Sequence, residues 1–191
     1  MKRKEFIKKS AFLGAGSMFL TSLSGYSIKN KSASDQINIG AIGINGMGWG
    51  NTLKAIEVPG VNLVAVCDVD ENVIKRRLNS EEGKSIKNKV NIYTDYRKML
   101  DQKDIDVVYI GTPDHWHALM MIDAAEAGKH IYVEKPIGNS IGECEAMVSA
   151  QKKYGNIIQV GQWQRSSTHF QKAMDFVHSG QLGPIRTVKV F

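Results

Sequence analysis

The sequence predicts a doubly wound α/β domain built on a parallel sheet. Two observations predict it. Six short runs rich in β-branched residues alternate with segments of helical periodicity, and the first run passes through a glycine-rich turn straight into a helix. Predicted strands are Ile37–Ile42, Val61–Cys67, Val90–Tyr93, Asp106–Ile110, Ile131–Val133 and Ile157–Val160. Predicted helices are Gly46–Glu57, Glu71–Ser80, Tyr96–Asp101, Asp114–Ala127, Ser140–Tyr154 and Thr168–His178, and Glu81–Lys89 reads as a charged surface loop. Leu119, Ile122, Asp123 and Glu126 carry the helical spacing of the fourth of these, which Gly128 ends.

The segment before the first strand is of another kind. Residues 1–24 form an export signal: the basic MKRKEFIKKS, an apolar stretch Ala11–Leu20, and the small residues Ser22-Leu23-Ser24. That stretch is well short of the roughly 20 residues that span a bilayer, so no stable membrane anchor is expected after cleavage. Arg3-Lys4-Glu5-Phe6-Ile7-Lys8 resembles the twin-arginine pattern with Lys4 in place of the second arginine, and the general secretory route stays open. Residues 25–35 read as a linker, and 36–182 as the α/β domain. After Gly183-Pro184, Ile185–Phe191 alternates like a strand and reads as the start of a truncated second domain (183–191), since one strand is not stable alone.

Composition narrows the class. A hydrophobic fraction of 42% with 23% charged residues fits a globular protein. The net charge of +6 suggests a polyanion partner, but residues 1–35 hold seven basic residues against two acidic ones, and the rest is near neutral at +1. No basic face remains for nucleic acid. Cys67 and Cys144 sit in no ligand-like spacing and read as buried free thiols.

Three motifs carry chemistry. Gly43-Ile44-Asn45-Gly46-Met47-Gly48 follows the first strand as in a dinucleotide fingerprint, where glycines let the backbone approach a pyrophosphate at a helix N-terminus. Gly43 and Gly48 hold the first and third places, and Asn45 replaces the second glycine. Asp68 ends the second strand at the usual distance, where a carboxylate accepts from ribose hydroxyls and repels a 2′-phosphate. NAD is therefore favoured over NADP, with Arg76 and Arg77 on the next helix the argument for NADP. Asp114-His115-Trp116-His117 is not a metal site by spacing, because His at i and i+2 diverge around a helix. One of these histidines and Trp116 are expected at the mouth of the nucleotide cleft. Glu134-Lys135-Pro136 closes the fifth strand, placing a lysine where it can take or return a substrate proton, with Pro136 a candidate cis residue. Gln162-Trp163-Gln164-Arg165 follows the sixth strand at the same edge; Arg165 either binds substrate or cofactor or is a plain surface charge.

Gly-Thr-Pro-x-x-x-His (Gly111 to His117), Ala-Gly-Lys-His (Ala127 to His130) and Glu-Lys-Pro (Glu134 to Pro136) together resemble the glucose–fructose oxidoreductase / inositol dehydrogenase / rhizopine catabolism (Gfo/Idh/MocA) family over nearly all of residues 36–191. The Asp-His-Trp-His form with a leader resembles its secreted branch, which places the protein in the periplasm or outside the cell. The resemblance implies a Rossmann domain that binds NAD(P), acting on a sugar, cyclitol or related polyol in carbohydrate metabolism, with Lys135 catalytic. It also implies that Gly43, Asn45, Gly46, Met47, Asp68, Thr112, Pro113, His117 and Glu134 surround the cofactor. A C-terminal α/β domain on an open, mostly antiparallel sheet is implied too, bearing the rest of the substrate site and a homo-oligomer interface, so this chain alone is expected to be inactive. Asn45 and Trp163 depart from common family residues. Some exported relatives resemble NAD-dependent glycosidases that oxidise the sugar transiently, which is the alternative activity; a non-catalytic nucleotide-binding module is the third.

Overall fold

The computed structural model describes residues 36–190, so the leader and linker expected at 1–35 lie outside the described residues. Six strands form one sheet: β1 (Ile37–Ile42), β2 (Val61–Cys67), β3 (Asn91–Tyr93), β4 (Val107–Ile110), β5 (His130–Glu134) and β6 (Ile158–Gly161). Their order is β3-β2-β1-β4-β5-β6 and every pairing is parallel. The order reverses between β1 and β4, which puts a crevice at the carboxyl ends of the central strands. The helices are α1 (Gly46–Ile56), α2 (Glu71–Leu78), α3 (Glu81–Lys84), α4 (Tyr96–Leu100), α5 (His117–Glu126), α6 (Ile141–Tyr154), α7 (Trp163–Ser166) and α8 (Thr168–His178), with 3₁₀ turns at Lys87–Lys89 and Asp114–Trp116. Among the described residues no helix is long and apolar enough to cross a membrane.

Each sheet face carries its own core. One gathers Met99, Val108, Ile110, Met121, Val133 and Met147; the other gathers Ile39, Ile44, Trp49, Val66, Ile74 and Leu78. Burial on both sides is what a parallel sheet demands of its β-branched runs. The β1–β2 register skips Val64, so Ile39 faces Leu63 while Gly40 faces Ala65. That bulge lets Leu63 and Val66, three residues apart, share one core.

Several expectations need correction. The segment Glu81–Lys89 is not a loop: Ser80 Oγ caps α3 at the Gly83 N–H (3.2 Å), and a 3₁₀ turn follows. Ile185–Val190 forms no strand, because among the described residues no neighbour pairs with it; Val188 and Val190 are exposed. The helix ending near Gly128 turns Ala118, Met121, Ala124 and Ala125 inward, whereas Leu119 is 45% exposed. Small alanines let α5 approach the sheet closely, with Met120 and Met121 filling the rest of that face. Cys144 is only half-buried; Cys67 is buried, and its thiol is pushed up to about 12 by burial, then by the charges of Asp68 and Asp95. Such a thiol is unreactive at neutral pH.

Two buried polar contacts tie the layers together. Lys129 Nζ donates to the carbonyls of Gln102 and Ile105 (3.0 Å for the second), closing the amino ends of the strands opposite the crevice. The Tyr96 hydroxyl donates to Asp123 Oδ2 at 2.6 Å, joining α4 to α5, and its pKa is pushed up to about 12, by burial first and then by Asp123. A phenol with a folded pKa above its unfolded value of about 10 holds its proton longer when folded. Its contribution is intact below pH 10 and is lost as pH rises toward 12. Stability measured by urea unfolding is expected to fall across that window, and more gently in Tyr96→Phe. An identical slope in the variant would sink this account.

Candidate cofactor cleft and active site

The turn after β1 is a close three-way backbone contact. Gly43 has φ +76°, and a Cβ there would lie 2.8 Å from Thr112. A Cβ on Gly48 would lie 1.9 Å from the Gly43 carbonyl oxygen, and one on Gly111 would lie 2.5 Å from Gly48 Cα. The turn, α1 and the end of β4 thus meet with no room for side chains. Over Gly46 (φ +49°) the space is open, with nothing within 4 Å of a built Cβ. Asn45 caps α1, its Oδ1 accepting from the Gly46 N–H (3.1 Å), and no acidic residue stands in the first turn. The helix therefore presents its positive end to that space.

Asp68, at the end of β2, ties the turn down. Its Oδ2 accepts from the Ile44 N–H (3.0 Å) and its Oδ1 from the Asp70 N–H (3.1 Å). The adjoining cleft, about 630 Å³, is walled by Gly43, Asn45, Asp68, Thr112, Pro113 and Trp116. A second cavity of about 430 Å³ lies farther along the same edge, at the ends of β5 and β6. Met47, Lys135, Gly161, Gln162, Trp163 and Gln164 line it. Of the residues inferred from sequence, Gly43, Asn45, Asp68, Thr112 and Pro113 line the first cavity and Met47 and Lys135 the second, with the open space over Gly46 beside them. A dinucleotide fits this arrangement: a turn whose Gly43 and Gly48 leave no room for a Cβ, a helix N-terminus with no acid in its first turn, and a carboxylate at the second strand end.

Two expected cofactor contacts stand behind the wall. His117 is 1% exposed, and its ring touches the carbonyl oxygens of Pro136 through Nδ1 (2.6 Å) and Thr112 through Nε2 (2.8 Å). In a neutral ring one of these contacts is a donated hydrogen bond; in the protonated ring both are. Either way His117 braces the ends of β4 and β5 and does not line the cleft. The histidine near the mouth is the exposed His115, next to Trp116. Glu134 is 5% exposed, its carboxylate accepting from Asn51 Nδ2, from the Tyr132 hydroxyl (3.4 Å) and from the Lys135 N–H (3.1 Å). A Cβ on Gly161 would lie 2.8 Å from that carboxylate, which explains the glycine. Tyr132 stacks on Tyr109 (4.2 Å between rings), and its pKa is pushed up to about 12 by burial and then by Glu134. The Glu134 cluster therefore fixes the backbone that carries Lys135. The Lys135–Pro136 peptide is cis. Arg165 lies on the exposed α7 and lines neither cavity. Asn51 and the Gln162 and Gln164 flanks escaped assignment from sequence. Asn51 had no signal, while the two glutamines stood in a motif noted only for its arginine.

Comparison with known proteins agrees with this geometry. The family model GFO_IDH_MocA, described as an oxidoreductase family with an NAD-binding Rossmann fold, matches residues 37–162. The chain belongs to the Gfo/Idh/MocA oxidoreductase family. Among similar family members is an uncharacterized oxidoreductase, YrbE, of Bacillus subtilis, 33% identical over 155 residues, covering 81% of this chain and 44% of YrbE. A glycosyl hydrolase family 109 protein of Shewanella woodyi is 37% identical over 123 residues, covering 61% of this chain and 26% of that protein. Among solved structures, myo-inositol 2-dehydrogenase of Lactobacillus plantarum superposes with a TM-score of 0.68 at 29% identity, covering 78% of this chain and 43% of that one. Scyllo-inositol dehydrogenase of Lactobacillus casei, solved with NAD(H) and scyllo-inositol, gives 0.67 at 27% identity, covering 78% and 43%. The chain thus spans less than half the length of these relatives. As a Gfo/Idh/MocA Rossmann domain it binds NAD.

Proposed function

We propose that the protein is an NAD-dependent oxidoreductase acting on a sugar, cyclitol or related polyol by hydride transfer at a hydroxyl-bearing carbon. The observation that carries this reading is Lys135, which lines the cavity at the ends of β5 and β6, next along the edge from the NAD cleft. Bound NAD supplies the hydride acceptor. The chain's own part is to hold the dinucleotide with the fingerprint turn and Asp68, and to take the substrate hydroxyl proton on Lys135. His117 and Glu134 hold the two strand ends that fix where Lys135 stands. The inositol dehydrogenases among its neighbours support a polyol substrate. The leader is proposed to export the protein with NAD already bound, because free dinucleotide is scarce outside the cytoplasm, and the whole protein is proposed to be a homo-oligomer.

The likeness to the Shewanella woodyi protein supports a second reading, a redox-assisted glycosidase in which oxidation of the sugar is undone within each turnover. One assay on the full-length gene product separates the two. Added NAD and a panel of inositols and free sugars are expected to give substrate-dependent NADH. Release of an aryl aglycone without added NAD or net NADH would sink the dehydrogenase and establish the glycosidase. Neither signal, with NADH binding intact, would leave only a nucleotide-binding module.

A further inference from the structure

Arg76 and Arg77, in the last turn of α2, reach back over the fingerprint turn. Their Nη2 atoms lie 3.1 and 3.2 Å from Asn45 Oδ1, the oxygen that already accepts from the Gly46 N–H at 3.1 Å. A neutral carbonyl oxygen has two lone pairs, and here three donors converge on it, two of them cationic. Arg77 Nε is buried without a partner. Among the described residues neither guanidinium makes an ion pair, although neighbouring Lys75 pairs with Glu71 at 3.4 Å. Asp68 and Asp70, the acids between the turn and α2, spend oxygens on the N–H groups of Ile44, Asp70 and Asn72. Two positive charges therefore meet on the residue that caps α1, at that helix's positive end and next in sequence to Gly46, over which the space is open. The guanidinium hydrogens there meet only a neutral oxygen, and Glu82, the acid near enough to feel Arg77, makes no ion pair with it.

We infer that Arg76 and Arg77 clamp the pyrophosphate of the dinucleotide from the α2 side, opposite the α1 amides. This rests on the NAD reading of the cleft and adds residues to it that the glycine motif does not contain. A guanidinium fork matches phosphate oxygens in pairs, and its charge strengthens each hydrogen bond. On binding, each arginine exchanges a shared neutral oxygen for an anion, and Asn45 is left to cap α1. The contact point decides between the pyrophosphate and the 2′-phosphate that NADP would add. Both arms reach Asn45, at the helix N-terminus, and neither bonds Asp68, where the ribose and any 2′-phosphate would lie.

The test is equilibrium titration of the full-length gene product, freed of carried-over dinucleotide, with NADH, NADPH, ADP and adenosine. Arg76→Gln and Arg77→Gln are each expected to weaken NADH and ADP by about tenfold, the scale of a charged hydrogen bond. The double variant should lose more, and adenosine, which has no phosphate, should bind as before. Arg76→Lys and Arg77→Lys are expected to recover part of the loss. Loss of NADPH binding alone would move the pair to a 2′-phosphate and overturn the inference. Unchanged NADH affinity in the double variant would overturn it as well, and so would an equal loss for adenosine, which reports damage to the cleft. If the unaltered protein binds neither NADH nor ADP, the NAD reading itself fails, a separate outcome visible before any variant is made.

Discussion

Lys135→Ala is expected to abolish turnover in the full-length gene product while NADH affinity and melting temperature stay close to those of the unaltered protein. The side chain stands exposed on the cavity wall at the end of β5, so its removal opens no core and breaks no buried contact. On the proposed reading the substitution removes the group that takes the substrate proton, and loss of such a group typically costs about 10²- to 10⁴-fold in rate. The cleft between the glycine turn and Asp68, proposed to hold the adenosine half of the cofactor, does not include Lys135, so binding should survive. The decisive measurement is a single-turnover rate with cofactor saturated. A variant that turns over normally retires the catalytic role and leaves Lys135 a surface charge.

Gly48→Ala is expected to do the opposite, damaging the scaffold and the cofactor site together. Its Cβ would stand 1.9 Å from the Gly43 carbonyl oxygen and 3.2 Å from that of Gly111. These are backbone atoms at the end of β1 and beyond the end of β4, and neither can rotate aside. Relief requires α1 to lift off the sheet, carrying the Asn45 cap and the Gly46 amide away from the phosphate position. Forced overpacking costs about 1–3 kcal/mol or more, and at the upper end that lowers the melting temperature by roughly 6–12 °C for a domain of this size. NADH binding should fall below detection. Gly50→Ala is the control, because a Cβ there meets nothing within 4 Å and alanine is the better helix former. If Gly48→Ala binds NADH as well as Gly50→Ala does, the close-packing account is wrong.

The sheet was legible because its strands are short and rich in Ile and Val, the central ones being largely buried. β1 and β2 carry the predicted bounds, β3 and β4 each begin one residue later, and β5 and β6 differ by one residue at both ends. The helix missed at Glu81–Lys84 hid behind Gly83, a poor helix former that is nevertheless required there. A Cβ on Gly83 would lie 2.0 Å from the Arg77 carbonyl oxygen, so the glycine serves contact between α2 and α3. Composition cannot show a requirement that lies in a neighbour's backbone. The Val64 bulge is invisible for the same reason.

The candidate site was legible to a different depth. Glycines, Asp68, Thr112, Pro113 and Lys135 announce themselves through spacing and strand ends, and they do line the two cavities or frame the turn between them. His117 and Glu134 belong to the same motifs, but a motif does not say which way a side chain turns. The partners of His117 are two main-chain oxygens, and one partner of Glu134 is Asn51, which stands 83 positions away. Polar residues near a ligand were read as facing it, whereas these two face away and hold the wall in place.

The enclosed ring of His117 has one more consequence. Any proton on its nitrogens points at a carbonyl and is shut off from water, the ring being 1% exposed. Such protons exchange slowly and give separate downfield magnetic resonances. Because one nitrogen listens to the end of β4 and the other to the residue after Lys135, a single spin system inside the protein reports on both sides of the active edge. Cofactor arriving at Thr112 and substrate arriving at Lys135 would each leave a signature on the same imidazole, with no label attached.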